Sequence, residues 1–153
     1  VKLSSKGRYA VRALFDIAFF NDGRPTQVKD IAERQGIPPR FLEQIFQDLK
    51  RAGLVGSKRG PQGGYSLLRS PDEVSLGDVW RVTEGAVSFS DEAEEALPGN
   101  RNDPCRQVMD NAFEDLARSV QACLDGVNLT SLCQRAERLG LNKPGSRRQV
   151  YVI

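Results

Sequence analysis

The chain has 153 residues, 39% of them hydrophobic and 27% charged, with 22 Lys and Arg against 20 Asp and Glu. That length suits one compact domain, or a small domain with an added assembly element, and no apolar run approaches the ~20 residues a membrane span needs. No charged-then-apolar leader opens it, and Cys105, Cys123 and Cys133 are too few and too unevenly placed for a disulfide framework, so a soluble, cytoplasmic protein is expected. The small net charge of +2 hides an asymmetry: residues 1–69 hold 13 Lys/Arg against 6 Asp/Glu, whereas 70–153 hold 9 against 14. A basic half joined to an acidic one is expected where one end meets a polyanion, although a solvated surface accounts for many such imbalances.

After Ser4 and Ser5, either of which suits a helix N-cap, Tyr9, Ala10, Ala13, Leu14, Ile17 and Ala18 recur at helical spacing as far as Asn21-Asp22-Gly23. Thr26 is placed to cap a short second helix, whose apolar residues are Val28, Ile31 and Ala32 and which stops at Gly36. Pro38 and Pro39 suit the start of a third, with Leu42, Ile45, Phe46 and Leu49 on its apolar face and Gly53 to end it. Two short helices joined by a tight turn make a helix-turn-helix. The opposite face of the third helix carries Arg40, Glu43, Gln44, Gln47 and Arg51. Arginine forks suit guanine, glutamine suits adenine and glutamate accepts from the cytosine amino group. The same stripe is also what the wet face of any amphipathic helix looks like.

The segment after that helix separates the two readings. Leu54–Ser57 and Tyr65–Leu68 read as short strands, and "KRGPQGG" between them is too turn-rich to be either. The spacing of a phosphate-binding P-loop is absent. A basic hairpin directly after a helix-turn-helix is a wing, with Gly60, Gly63 and Gly64 expected to bring its backbone close to a sugar-phosphate wall and Arg59 to enter a minor groove. The candidate DNA contacts are therefore Thr26, Gln27, Arg40, Glu43, Gln44, Gln47, Lys58, Arg59, Gly60, Pro61, Gly63 and Gly64.

In the acidic half, Pro104 opens a helix on which Val108, Met109, Ala112, Phe113, Leu116, Val120, Cys123 and Leu124 form an apolar stripe, ending near Gly126. Such a stripe, outside a domain that already has a core, calls for a partner helix, and a twofold homodimer is the simplest supply. The expected fold is mostly α with a small β-hairpin: a winged helix-turn-helix (1–85), an acidic loop (86–104), a dimerisation helix with a following short helix (105–142), and a tail (143–153).

"KLSSKGRYAVRAL", "IPPRFLEQIFQDLKRAGLV", "SKRGPQGGYSLLRSP" and "VSLGDVWRVTEG" together resemble the winged-helix transcription regulators of the Rrf-two family, whose members include the cluster-sensing IscR and NsrR types and the cysteine-metabolism repressor CymR. The likeness runs from residue 2 to about 85 and resumes in the C-terminal helix. It implies a dimer that lays a recognition helix in the major groove and the wing in the minor groove, with Arg40, Glu43, Gln44 and Arg59 inheriting contacts by position. Gln62 departs from the pattern, since many relatives have glycine there. Cluster-holding relatives gather three cysteines in the loop before the long helix; here "SFSDEAEEALPGNRNDPC" offers only Cys105. Cys105 and Cys123 stand 18 residues apart on one predicted helix, about 27 Å along its axis, and no histidine is present to replace a missing ligand. No cofactor is therefore expected, and Cys123 and Cys133 are expected to be small core residues. A cluster with carboxylate ligands from Asp91, Glu92, Glu94 or Glu95, in a redox-sensing regulator, is the alternative.

No nucleophile motif or metal-ligand spacing appears, and without histidine the usual general base is missing, so an enzyme is not expected. A protein-interaction module without DNA binding would leave the basic wing unexplained. The closing Tyr151-Val152-Ile153 resembles the isoleucine-ended tails by which serine acetyltransferases enter cysteine synthase, and CymR-type relatives answer to that enzyme. The resemblance thus implies a cysteine-metabolism repressor whose tail docks in cysteine synthase, its carboxylate captured by backbone amides.

Overall fold

The computed structural model describes residues 2–96, 98–99 and 102–143. Helix α1 (Ser5–Asn21) begins at Ser4, whose hydroxyl accepts from the Gly7 amide at 3.1 Å. Glu84, from the end of a later helix, accepts from the Ser4 amide at 3.0 Å and also from its hydroxyl. Helices α2 (Val28–Gln35) and α3 (Pro39–Arg51) come next, separated by a left-handed Gly36 and opened by Pro39 at the first helical position. Their apolar faces meet α1 in a single core of Leu14, Ile17, Ile31, Leu42, Ile45, Phe46 and Leu49, all 3% exposed or less.

Strands β1 (Val55–Lys58) and β2 (Gly64–Leu67) pair antiparallel, Val55 opposite Leu67 and Lys58 opposite Gly64. Both lie one residue nearer the tip than the sequence suggests. The reason is the tight turn from Gly60 to Gly63, closed by a 2.9 Å bond from the Gly63 amide to the Gly60 carbonyl, which lets pairing run on to Lys58. Gln62 occupies its third position without needing a positive φ, so the turn accepts a side chain there.

A turn at Pro71–Glu73 leads to α4 (Leu76–Thr83), which Ser75 and Asp78 cap reciprocally. The short α5 (Glu92–Glu95) lies in the acidic loop, and α6 (Pro104–Asp125) is the long helix expected. It crosses α4, where Arg81 donates twice to Asp125 at 2.8 Å. α7 (Leu129–Arg138) turns back to pack on α1, burying Leu129 and Ala136. Sequence position groups α7 with the long helix; its packing puts it on the winged body, because the Leu129 amide bonds to the Val74 carbonyl and starts the helix against the core. Lys143 reaches back to Asp22 at 3.0 Å and holds that carboxyl below its ordinary value. Tyr151, Val152 and Ile153, expected to bind a partner, lie outside the described residues. No helix among the described residues is long and apolar enough to cross a membrane.

Candidate nucleic-acid interface

The cations of the basic half divide into those that hold the fold and those left over. Lys6 pairs with Asp48 at 2.6 Å and Arg51 pairs with the same carboxylate at 3.2 Å. Together they hold Asp48 below its ordinary value, so this strap between α1 and α3 is intact above the unfolded carboxyl pKa and is lost as pH falls through the folded one. Arg34 forks onto Asp16, a fully buried carboxylate that also accepts from Gln35 at 2.8 Å. That bonding raises the Arg34 pKa and ties α2 to α1. Lys50 donates to Ser57 at 2.7 Å. By contrast, Arg40, Glu43, Gln44, Gln47, Lys58 and Arg59 are all exposed, and none has an ion pair or side-chain hydrogen bond to another described residue. Arg40, Glu43, Gln44 and Gln47 share one face of α3, opposite Leu42, Ile45 and Leu49, as their 3.6-residue spacing requires.

The wing is held in place relative to that face. The ring of Tyr65 on β2 stacks on Phe46 of α3, with centroids 4.3 Å apart and planes 8° from parallel. Thr26 and Tyr65 exchange backbone bonds of 2.9 Å in each direction, and the side-chain amide of Gln27 donates to the Pro61 carbonyl at 3.0 Å. The wing is thus docked to the residues that open α2 as well as to α3.

These contacts correct one expectation and qualify another. Thr26 does not cap α2: Gln27 holds the N-cap position, and the Thr26 hydroxyl, buried at 6% exposure, donates to the Arg24 carbonyl and accepts from Asn21. Backbone pairing with Tyr65 turns it away from the helix, leaving it an anchor for the wing. For two of the three wing glycines the structure adds a second reason, internal to the fold. A Cβ on Gly63 would lie 2.1 Å from the Lys58 carbonyl oxygen, and one on Gly64 2.1 Å from that of Thr26. Both glycines are demanded by the wing's own folding. Gly60 alone of the three faces open space.

Phe41, on α3, is 55% exposed, although its apolar character places it with the core in any hydrophobicity count. The Asp16–Arg34 pair escapes notice in the sequence, because eighteen residues separate its members on different helices.

Along α6 the expected stripe is present; its first part is exposed, whereas Val120 and Leu124, where the helix packs on α4, are half-buried. Val108 is 60% exposed, Met109 53%, Phe113 44% and Leu116 46%, and no residue of the helix is buried. Cys123, expected in the core, is exposed, because the face it occupies points away from the winged body. Cys133 does pack against the core, where burial pushes its thiol pKa up against the opposing charge of Lys143. The donor set does not fit a three-thiolate cluster. Cys105 and Cys123 lie on the one helix about 27 Å apart, Cys133 is on α7, and no group of three metal-ligating side chains occurs among the described residues.

Residues 3–135 match the family model described as Rrf2, iron-dependent transcriptional regulator. The chain belongs to the Rrf2 family. Among Rrf2 proteins it is 40% identical over 136 residues to the HTH-type transcriptional regulator IscR of Aliivibrio salmonicida, a match covering 86% of this chain and 77% of that one. The IscR structure from T. potens superposes with a TM-score of 0.72 at 35% identity, covering 94% of each chain. The structure of CymR, described as the global cysteine regulator of B. subtilis, superposes with the same score at 31% identity over 88% of this chain and 98% of that one. This Rrf2 protein is a DNA-binding transcriptional regulator with a winged-helix fold, and its relatives are regulators rather than enzymes.

Proposed function

We propose that this Rrf2 regulator acts in the cytoplasm as a homodimer that reads a pseudo-palindromic operator, α3 in the major groove and the wing in the minor groove. The observation that carries this reading is the set of exposed, unengaged side chains on α3 and at the wing tip, held to one another through the Phe46–Tyr65 stack. Two copies joined through α6 would present two such heads to half-sites about 34 Å apart, or a multiple of that. Arg40, Gln44, Glu43 and Gln47 read base edges; Lys58 and Arg59 meet phosphates and the minor groove. Gly60 and Pro61 give the tip its shape, with Gln27, Gly63 and Gly64 behind it.

Arg59→Ala tests the wing. Operator affinity falls, and the slope of log K against log salt falls by about one unit for each phosphate no longer neutralised. Glu43→Ala leaves the salt slope alone and relaxes base preference at one position per half-site, by roughly 1–3 kcal/mol of discrimination. Unchanged affinity at two salt concentrations, or an unchanged site logo, removes that residue from the interface.

For the regulatory input we propose a cluster-free regulator of the CymR kind, repressing sulfur and cysteine metabolism genes. The scattered thiols support it, and so does the likeness to a global cysteine regulator; the IscR relatives support the cluster-sensing alternative. In the cluster-free reading the segment Tyr151, Val152 and Ile153 docks in cysteine synthase, where the isoleucine side chain occupies the amino-acid substrate's place. Protein purified without oxygen is then colourless, without iron and acid-labile sulfide in fixed ratio to the chain. The C-terminal peptide perturbs the synthase's pyridoxal-phosphate fluorescence and O-acetylserine competes with it. A visible absorption band with stoichiometric sulfide reverses the choice between the two inputs.

A further inference from the structure

Phe41, 55% exposed in the first turn of α3, is out of keeping with the three helices α1, α2 and α3, whose other large apolar side chains are buried or half-buried; elsewhere in the winged body Leu68, after β2, is exposed as well. At 3.6 residues per turn Phe41 lies roughly 60° round the helix from Gln44 and about 100° from Arg40, on the side away from Glu43. Lys50, bonded to Ser57 of the wing, is diametrically opposite, about 180° away. Across the outer face of α3 the order is therefore Lys50 beside the wing, then Glu43, Gln47, Arg40, Gln44 and finally Phe41.

The charges around the ring indicate what covers it. Arg40 is its neighbour in sequence, and Asp48, two turns further along the same flank, is offset by both Lys6 and Arg51. An apolar protein surface set against this flank would have to desolvate those cations, whereas a polyanion would not. A major groove presents one apolar feature on its base edges, the C5-methyl of thymine, and phenylalanine is among the side chains that pack on it.

We infer that Phe41 is a specificity-determining residue, packing on a thymine methyl in each half-site at the end of the reading stripe away from the wing. The inference rests on the DNA-binding reading proposed above and extends it to a residue that reads without a hydrogen bond.

The test uses the full chain and a duplex that it selects from a random pool, in which each thymine is replaced in turn by deoxyuridine. Uracil keeps the base pair and removes only the methyl. At one position per half-site the replacement weakens binding by the wild-type protein about fourfold, the worth of one buried methyl group. The same replacement leaves Phe41→Ala unaffected, while Phe41→Leu, which keeps an apolar side chain, retains the sensitivity. Circular dichroism of Phe41→Ala matches the wild type, because the ring contributes little to the core. The inference is overturned, and the DNA-binding reading kept, if no thymine is sensitive in the wild type or if Phe41→Ala is equally sensitive. If the wild type selects no sequence from the pool, the DNA-binding reading and the inference fall together.

Discussion

Met109→Asp with Phe113→Asp converts the protein to a folded monomer that no longer holds its operator at concentrations where the wild type saturates it. Both side chains lie in the stripe of α6, and they remain 53% and 44% exposed among the described residues. Covering each of the four large residues, Val108, Met109, Phe113 and Leu116, in a twofold interface contributes about 1 kcal/mol, since roughly half of each is still open to water. An aspartate brought to the same place faces its own copy across the axis, and each unpaired carboxylate costs at least ~2 kcal/mol on burial. The four of them, two from each copy, raise the dimer dissociation constant by at least about five powers of ten. Sedimentation or light scattering reads the mass, and far-ultraviolet circular dichroism shows the winged body intact, because no buried residue of the core has been touched. A variant that remains dimeric would mean that the stripe meets something other than a second copy.

Gly64→Ala unfastens the wing. With φ at +132° and a Cβ that would stand 2.1 Å from the Thr26 carbonyl oxygen, an alanine forces β2 away from Thr26. The two backbone bonds between Thr26 and Tyr65 go with it, each worth about 1 kcal/mol, and backbone strain adds a similar amount. The total of roughly 3 kcal/mol lowers the melting temperature by about 6–12 °C for a chain of this size. It also withdraws Tyr65 from Phe46, so Arg59 loses its fixed place beside the reading helix and operator affinity drops by at least about tenfold. Gly60→Ala is the control. Its φ of +105° is also strained, but no atom lies within 4 Å of the added methyl, so the loss is confined to about 1 kcal/mol and the wing stays docked. Equal melting temperatures for the two variants would show that the Thr26 contact does not hold the wing.

The helices of this protein are written locally. Ser4, Pro39 and Pro104 open three of them, and Gly36 closes α2, where the chain order places them. Caps, prolines and 3.6-residue periodicity act within a turn or two, so Arg40, Glu43, Gln44 and Gln47 can be set on one face of α3 without any tertiary information. The hairpin is legible for the same reason, to within one residue, because its turn chemistry lies in seven consecutive positions. The quoted motifs carry the family likeness as far as the fold and the expected DNA contacts.

Other assignments depend on which distant residues meet. Thr26 looks like a helix cap until Tyr65, thirty-nine positions later, claims its backbone; Gly63 and Gly64 look like open loop glycines until the carbonyls of Lys58 and Thr26 stand against them. Asp16 and Arg34 become one buried ion pair only when α1 and α2 pack. Apolar residues pose the same difficulty in the opposite sense. Phe46 and Phe41 are five residues apart and chemically identical, yet one stacks beneath Tyr65 and the other faces outward. Cys123 and Cys133 both read as small core residues, and only Cys133 has a core to enter. Periodicity distinguishes the apolar side of a helix from its polar side, but whether a flank or a stripe is covered depends on the elements packed against it, and that is a property of the assembled fold.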